Sequence, residues 1–188
     1  KIRKVLSVLR RNLEAAEIPH ALIGAMALSF YGIPRYTADI DLLSDQRDKS
    51  RILQIMKDLG FDCFQETEAF AQFDSQMGVY GKVDFMFVET EEGRAILEDA
   101  VLLADELLGE IPVVQPTDYG VLKLMSIANN PDRKNHDKAY LEAMFKSAAA
   151  GFTEPAFHPV DVDRLRRFAV RFGVSEELES LLPLLNHR

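Results

Sequence analysis

The chain predicts an α+β fold, a mixed β-sheet flanked by helices and followed by a C-terminal helical region. Three observations predict it. Apolar residues recur at helical spacing at the start, short alternating segments that carry acidic residues fill the middle, and only helical patterns follow Pro116.

Residues 2 to 17 place Ile2, Val5, Leu6, Leu9 and Leu13 at helical spacing, and Ile18-Pro19 ends that helix. HALIG, His20 to Gly24, reads as a short strand running directly into AMALSFYG, a helix closed by Gly32 and Pro34. YTADIDLLS, residues 36 to 44, reads as a strand. Alternation then points Asp39 and Asp41 to one face, with Ile40 and Leu42 on the other. Two ionised carboxylates that close repel each other, and a hard divalent ion is their commonest compensator. The segment therefore reads first as a metal site. The competing reading is a pair of exposed acids on an edge strand that discourage aggregation.

Residues 46 to 59 read as an amphipathic helix with Ile52, Ile55, Met56 and Leu59 inward and Gly60 as the stop. Two or three β-segments follow. In KVDFMFVE, Val83, Phe85 and Phe87 share one face and Asp84, Met86 and Val88 the other, which sets an acid inside a strand. Ile111 to Pro116 reads as a further strand. Pro116, Thr117 and Asp118 open a helix that runs through Met125 and Ala128, and Asn129 to Asp132 form a turn. A helix from about Arg133 to Ala149, a linker over 149–159, and helices from Val160 to Phe172 and Ser175 to Leu185 complete the chain. The domain reading is a core over 1–115 and a helical region over 116–188.

Composition narrows the function classes. With 188 residues and 47% apolar content the chain holds one well-buried core, and a net charge of -8 argues against a surface basic overall. Basic residues do gather locally, as Lys1, Arg3, Lys4, Arg10 and Arg11, as Arg133, Lys134 and Lys138, and as Arg164, Arg166, Arg167 and Arg171. Solvated helix faces are the default account of such clusters. The single cysteine, Cys63, reads as a small core residue in a reducing compartment. His20, His136, His158 and His187 lack paired zinc spacing, and neither G-x-G-x-x-G nor a Walker-type phosphate loop occurs. No apolar run has transmembrane length and no signal peptide is recognisable, so the expected location is cytoplasmic.

The stretch ALIGAMALSFYGIPRYTADIDLL resembles the signature of the polymerase-beta-like nucleotidyltransferase superfamily, closest to its bacterial abortive-infection toxin branch. Gly24, Gly32, Arg35, Thr37, Asp39 and Asp41 match in register. KVDFMF is similar to the strand that bears the third carboxylate, PTDYGVLKL to the segment before a helical lysine, and DRKNHDKAYLEAM to the basic-acidic helix that follows. The similarity covers most of the chain, including the tail RLRRFAVRFGVSEELESLL.

The resemblance implies a nucleotidyltransferase-type sheet and transfer of a nucleoside monophosphate from a triphosphate such as ATP to a hydroxyl. The acceptors it suggests are an RNA or tRNA end, a protein side chain or a small molecule, and a toxin of this branch implies an antitoxin partner. It implies that Asp39, Asp41 and Asp84 hold two Mg²⁺ ions, with Mn²⁺ as the alternative, and carry the catalysis. Backbone N–H groups at Gly24 and Ala25 would meet a phosphate, although Gly24 serves equally for tight strand-to-helix packing. Lys123 would neutralise the triphosphate, Thr37 belongs to the nucleotide-binding motif, and Arg35 either contacts a phosphate or orients the acidic strand. Two departures stand out. Ala25 replaces a glycine or serine, and Tyr140 stands one turn beyond Asp137 where the family carries a second acid. They favour the alternative of a catalytically weak nucleotide- or partner-binding module on the same fold. A purely structural protein with surface acids is the remaining class.

Overall fold

A computed structural model describes residues 2–78 and 80–186. Lys1 and His187, both noted in the sequence, lie outside that range. The chain divides into two compact units, one running up to Met26 and resuming over Tyr36–Val114, the other made of Ala27–Arg35 with Gln115 onward.

The first unit is built on a seven-stranded sheet: β1 (His20–Ile23), β2 (Ile40–Asp45), β3 (Phe61–Glu66), β4 (Phe70–Ser75), β5 (Lys82–Val88), β6 (Val101–Asp105) and β7 (Gly109–Val113). Their order across the sheet is β3-β4-β5-β2-β1-β7-β6. β2 pairs parallel with β5 and antiparallel with β1, while β1 pairs parallel with β7. The sheet is therefore mixed, as the run of segments predicts.

Helices α1 (Ile2–Ala15), α3 (Lys49–Asp58) and α4 (Glu91–Glu98) belong to the same unit. α1 buries Leu6, Leu9 and Leu13, and α3 buries Ile52 and Met56, the inward stripes that the helical spacing marks. The strands bury Ile40, Leu42, Phe73, Val83 and Phe85 almost completely. α4 has no counterpart in the sequence reading. Thr90 caps it by accepting from the Gly93 amide, a three-residue signal ahead of a short helix.

Three expectations are corrected. The acidic strand begins at Ile40, not Tyr36, so Asp39 lies just outside it. β2 lies in the middle of the sheet, which removes the edge-strand reading of its acids. Cys63 is exposed: β3 is itself an edge strand that buries only Phe61, and a register shift between Cys63 and Gln65 breaks its alternation.

β2 ends at Asp45, whose buried carboxylate accepts from the Arg47 amide, the Arg47 guanidinium at 2.6 Å and Arg94 Nε at 2.9 Å. The Arg47 hydrogen bond holds its pKa down to about 2 against the cost of burial. On the neighbouring strand, His20 pairs opposite Ser44 and is buried with Nδ1 against the Ile18 carbonyl at 2.9 Å, and burial lowers its pKa.

The second unit is helical. α2 (Gly24–Phe30) leads into it, and α5 (Pro116–Asn129), α6 (Lys134–Ala150), α7 (Val162–Phe172) and α8 (Ser175–Leu181) form it. Pro116 opens α5, where a missing N–H costs nothing. A methyl built on Gly120 would lie 2.8 Å from Leu165 Cδ2, so glycine lets α7 close onto α5. Tyr31 packs edge-on against Tyr119 and Phe157, and its carbonyl accepts from Ser147. The segment between α6 and α7 is tied down by Gln115, which donates to the Ala156 carbonyl and accepts from the His158 amide.

Candidate functional site

In the first unit the site is a rung of the sheet. Parallel pairing sets Asp41 of β2 directly beside Asp84 of β5, and antiparallel pairing extends the rung to Gln72 of β4 on one side and Ile23 of β1 on the other. Residues on one rung of paired strands share a face, and neighbouring strands lie about 4.8 Å apart. Both acids are half-buried, while the flanking Ile40, Leu42, Val83 and Phe85 are buried on the opposite face. Alternation therefore separates a carboxylate face from an apolar one. Gln72 Nε2 donates to Asp84 Oδ2 at 3.1 Å and fixes that carboxylate.

Glycine 24 closes the other side. It has φ +67, and a methyl built on it would lie 2.1 Å from Asp41 Oδ2. Only a residue without Cβ lets the chain turn from β1 into α2 against the Asp41 side chain. Ala25 follows as the second residue of α2 and is buried.

Asp39 is placed by a local turn. The Thr37 hydroxyl accepts from the Asp39 amide at 3.1 Å and donates to the Asp39 carbonyl at 3.2 Å, so it is occupied by the backbone that presents the acid. Gly81, at φ +80, brings its backbone so close to this segment that a methyl would stand 2.3 Å from the Ala38 carbonyl oxygen. The approach to β5 is thus packed against the approach to β2.

The second unit holds the candidate cations Arg35 and Lys123. Lys123 Nζ of α5 binds Asp137 Oδ1 of α6 at 3.1 Å, and Ser126 Oγ donates to Asp137 Oδ2 at 2.7 Å. Asp137 is fully buried. The Arg35 guanidinium lies 4.4 Å from the centroid of the Tyr140 ring, and Lys123 Nζ lies 4.8 Å from the same centroid. His136 meets that ring edge-on at 4.5 Å, with its pKa lowered first by desolvation and next by Arg133. Other cations noted in the sequence are held in ion pairs: Arg3 with Asp105, Arg10 with Glu14, Lys134 with Glu177, Arg164 with Asp118 and Arg166 with Glu179.

The structure thus brings Asp41, Asp84 and Gly24 together, sets Asp39 and Thr37 at the entrance to β2, and gathers Arg35 and Lys123 in the second unit. Gln72, Gly81, Ser126 and the stacking role of Tyr140 escape the sequence. Gln72 was open to discovery only by knowing that β4 pairs with β5 in that register. Among the described residues no three His, Cys, Asp or Glu side chains are gathered so as to hold a metal ion by themselves. The pair Asp41 and Asp84, with Asp39 near it in the chain, is an all-oxygen donor set. It suits an ion that takes one or two carboxylates and completes its shell with water and substrate phosphates.

Comparison with known proteins agrees with this architecture. Residues 7–140 match the family model described as nucleotidyl transferase AbiEii toxin, type IV TA system. No curated protein sequence matches. Among solved structures, ANT(2'')-Ia in complex with adenylyl-2''-tobramycin superposes with TM-score 0.62 at 10% identity, covering 91% of this chain and 96% of that one. An antigenic nucleotidyltransferase-like protein from Paracoccidioides brasiliensis gives 0.55 at 17% identity, over 97% and 92%. The lincosamide antibiotic adenylyltransferase LnuA, lincomycin-bound, gives 0.50 at 15% identity, over 75% and 94%. At these identities the likeness is one of fold. Among the described residues no helix is long and apolar enough to cross a membrane.

Proposed function

Because the chain belongs to the AbiEii nucleotidyltransferase toxin family and is a nucleotidyltransferase, we propose that it moves a nucleoside monophosphate from a triphosphate to a hydroxyl acceptor with the help of divalent metal ions. The observation that carries this reading is the shared rung of Asp41 and Asp84, closed by the Cβ-free backbone of Gly24.

Asp41 and Asp84, joined by Asp39, would hold Mg²⁺. Bound there, the ions would supply positive charge where negative charge builds up on the attacking and leaving oxygens. The chain's own groups do the rest. Gln72 donates to Asp84 Oδ2 and so steadies the carboxylate, which would draw the acceptor hydroxyl's proton. Thr37 and Gly81 fix the backbone that carries Asp39. Lys123 and Arg35, in the second unit, are cations of the kind that bind phosphate oxygens. A role as a toxin with an antitoxin partner follows from the family. An RNA or tRNA end, a protein side chain and a small molecule are the acceptor classes; the structures of LnuA, a lincosamide antibiotic adenylyltransferase, and of ANT(2'')-Ia with adenylyl-2''-tobramycin lend weight to the last.

The test is incubation of the chain and of its Asp41→Asn variant with each labelled nucleoside triphosphate, Mg²⁺, and separated RNA, protein and small-molecule fractions. Label that enters one fraction only with the unmodified chain and Mg²⁺ supports the proposal and names the acceptor class. Metal-dependent triphosphate binding with no label in any fraction supports the binding module instead. Label transfer that survives both EDTA and Asp41→Asn refutes the site.

A further inference from the structure

We propose that Tyr140 is the positioning residue of a polyphosphate-binding site in the second unit, its ring setting the two cations, Arg35 and Lys123, that grip the phosphates. The inference rests on the nucleotidyl-transfer reading and adds to it a residue and a binding mode.

Charge arithmetic at the ring comes first. Arg35 and Lys123 stand 4.4 and 4.8 Å from one ring centroid. Two positive charges so placed repel each other, and a carboxylate between them would be the ordinary remedy. Only Lys123 has one: Asp137, fully buried, whose second oxygen is already taken by Ser126. Among the described residues no carboxylate is paired with Arg35, which is exposed and lies over the ring instead.

An aromatic ring differs from a carboxylate in what it leaves behind. Its negative face attracts both cations and fixes their positions, yet it carries no net charge. One buried carboxylate then faces one ammonium and one guanidinium, and a unit of positive charge remains for an outside anion. An acid at position 140 would cancel that surplus. Tyrosine there keeps the cations gathered and available, and Arg35 offers the planar fork of donors that suits phosphate oxygens. Tyr140, one turn beyond Asp137 on α6, is thus a part of the binding machinery where the sequence reading counted it a loss.

The experiment uses the full chain and inorganic tripolyphosphate, titrated calorimetrically without metal, so that catalysis plays no part. The unmodified chain and Tyr140→Phe should bind within about twofold of each other, while Tyr140→Leu should bind about tenfold more weakly, the size of a lost cation–π contact. Arg35→Met should weaken binding in the unmodified chain and change little in the Tyr140→Leu background. With labelled triphosphate, Tyr140→Leu should raise KM and leave kcat nearly unchanged, a split that loose packing alone does not give. Equal binding by Tyr140→Leu, an equal Arg35→Met effect in both backgrounds, or no tripolyphosphate binding by the unmodified chain would overturn the proposal. Should Tyr140→Leu fail to fold, the exposed Arg35→Met variant decides alone, with unchanged tripolyphosphate affinity as the refuting result. Failure here leaves label transfer untouched, whereas failure of the transfer reading shows in the Asp41→Asn assay.

Discussion

Asp41 and Asp84 stand side by side on adjacent parallel strands, in a sheet whose opposite face is closed by Ile40, Leu42, Val83 and Phe85. Parallel pairing keeps the two side chains on the same face, so their mutual repulsion is built into the register.

Neutralising one member should therefore separate function from stability. Asp41→Asn should lower transfer activity by a factor of about a hundred or more, while the melting temperature without metal stays level or rises as repulsion is relieved. Parallel activity assays and thermal melts in EDTA check both halves. A marked fall in the EDTA melt would mean that the carboxylate supports the fold instead.

Gly24→Ala meets two penalties at once, a left-handed backbone and a methyl 2.1 Å from Asp41 Oδ2. The expected cost is about 1–3 kcal/mol of stability with loss of activity. Replacing Asp41 by Gly in the same chain removes the collision, so the two stability effects should not add. A double-mutant cycle by denaturant unfolding measures the difference.

Acid should expose the role of Asp45. Its folded pKa of about 2 lies below the unfolded 3.8, so as pH falls through that interval the unfolded chain takes up its proton first. The stability contributed by Asp45 is complete above about pH 5 and disappears toward pH 2. Asp45→Asn should flatten that part of the stability–pH curve and cost about 2 kcal/mol or more at neutral pH, because Arg94 loses its buried partner. Urea unfolding at a series of pH values provides the curve.

His20 should act at a higher pH. Burial lowers its folded pKa below 6.5, so below that value the unfolded chain binds the proton more readily and stability falls as pH drops. His20→Asn should remove this component of the slope between pH 7 and 5 while leaving the Asp45 component in place. The same unfolding series separates the two.

Much of this was legible in the sequence, for identifiable reasons. Helical stripes such as Leu6, Leu9 and Leu13 read well because burial follows a local period. The acids of β2 and β5 read well because charge inside an apolar alternation requires an explanation. What escaped depends on pairing. Cys63 looked buried beside Phe61 and Phe64, but its strand lies at the sheet edge. Gln72 looked ordinary until β4 set it opposite Asp84. Gly81 needed the Ala38 carbonyl beside it, and Tyr140 needed Arg35 and Lys123.

The parallel pairing of β2 with β5 also sets a time at which the site can first exist. Its two acids belong to strands separated by a helix and a hairpin, so no local segment of the nascent chain carries both. Until β5 is made, Asp84 is missing from beside Asp41, and such non-local pairing is slow to form. The Asp41–Asp84 pair thus comes into being only when β5 joins β2.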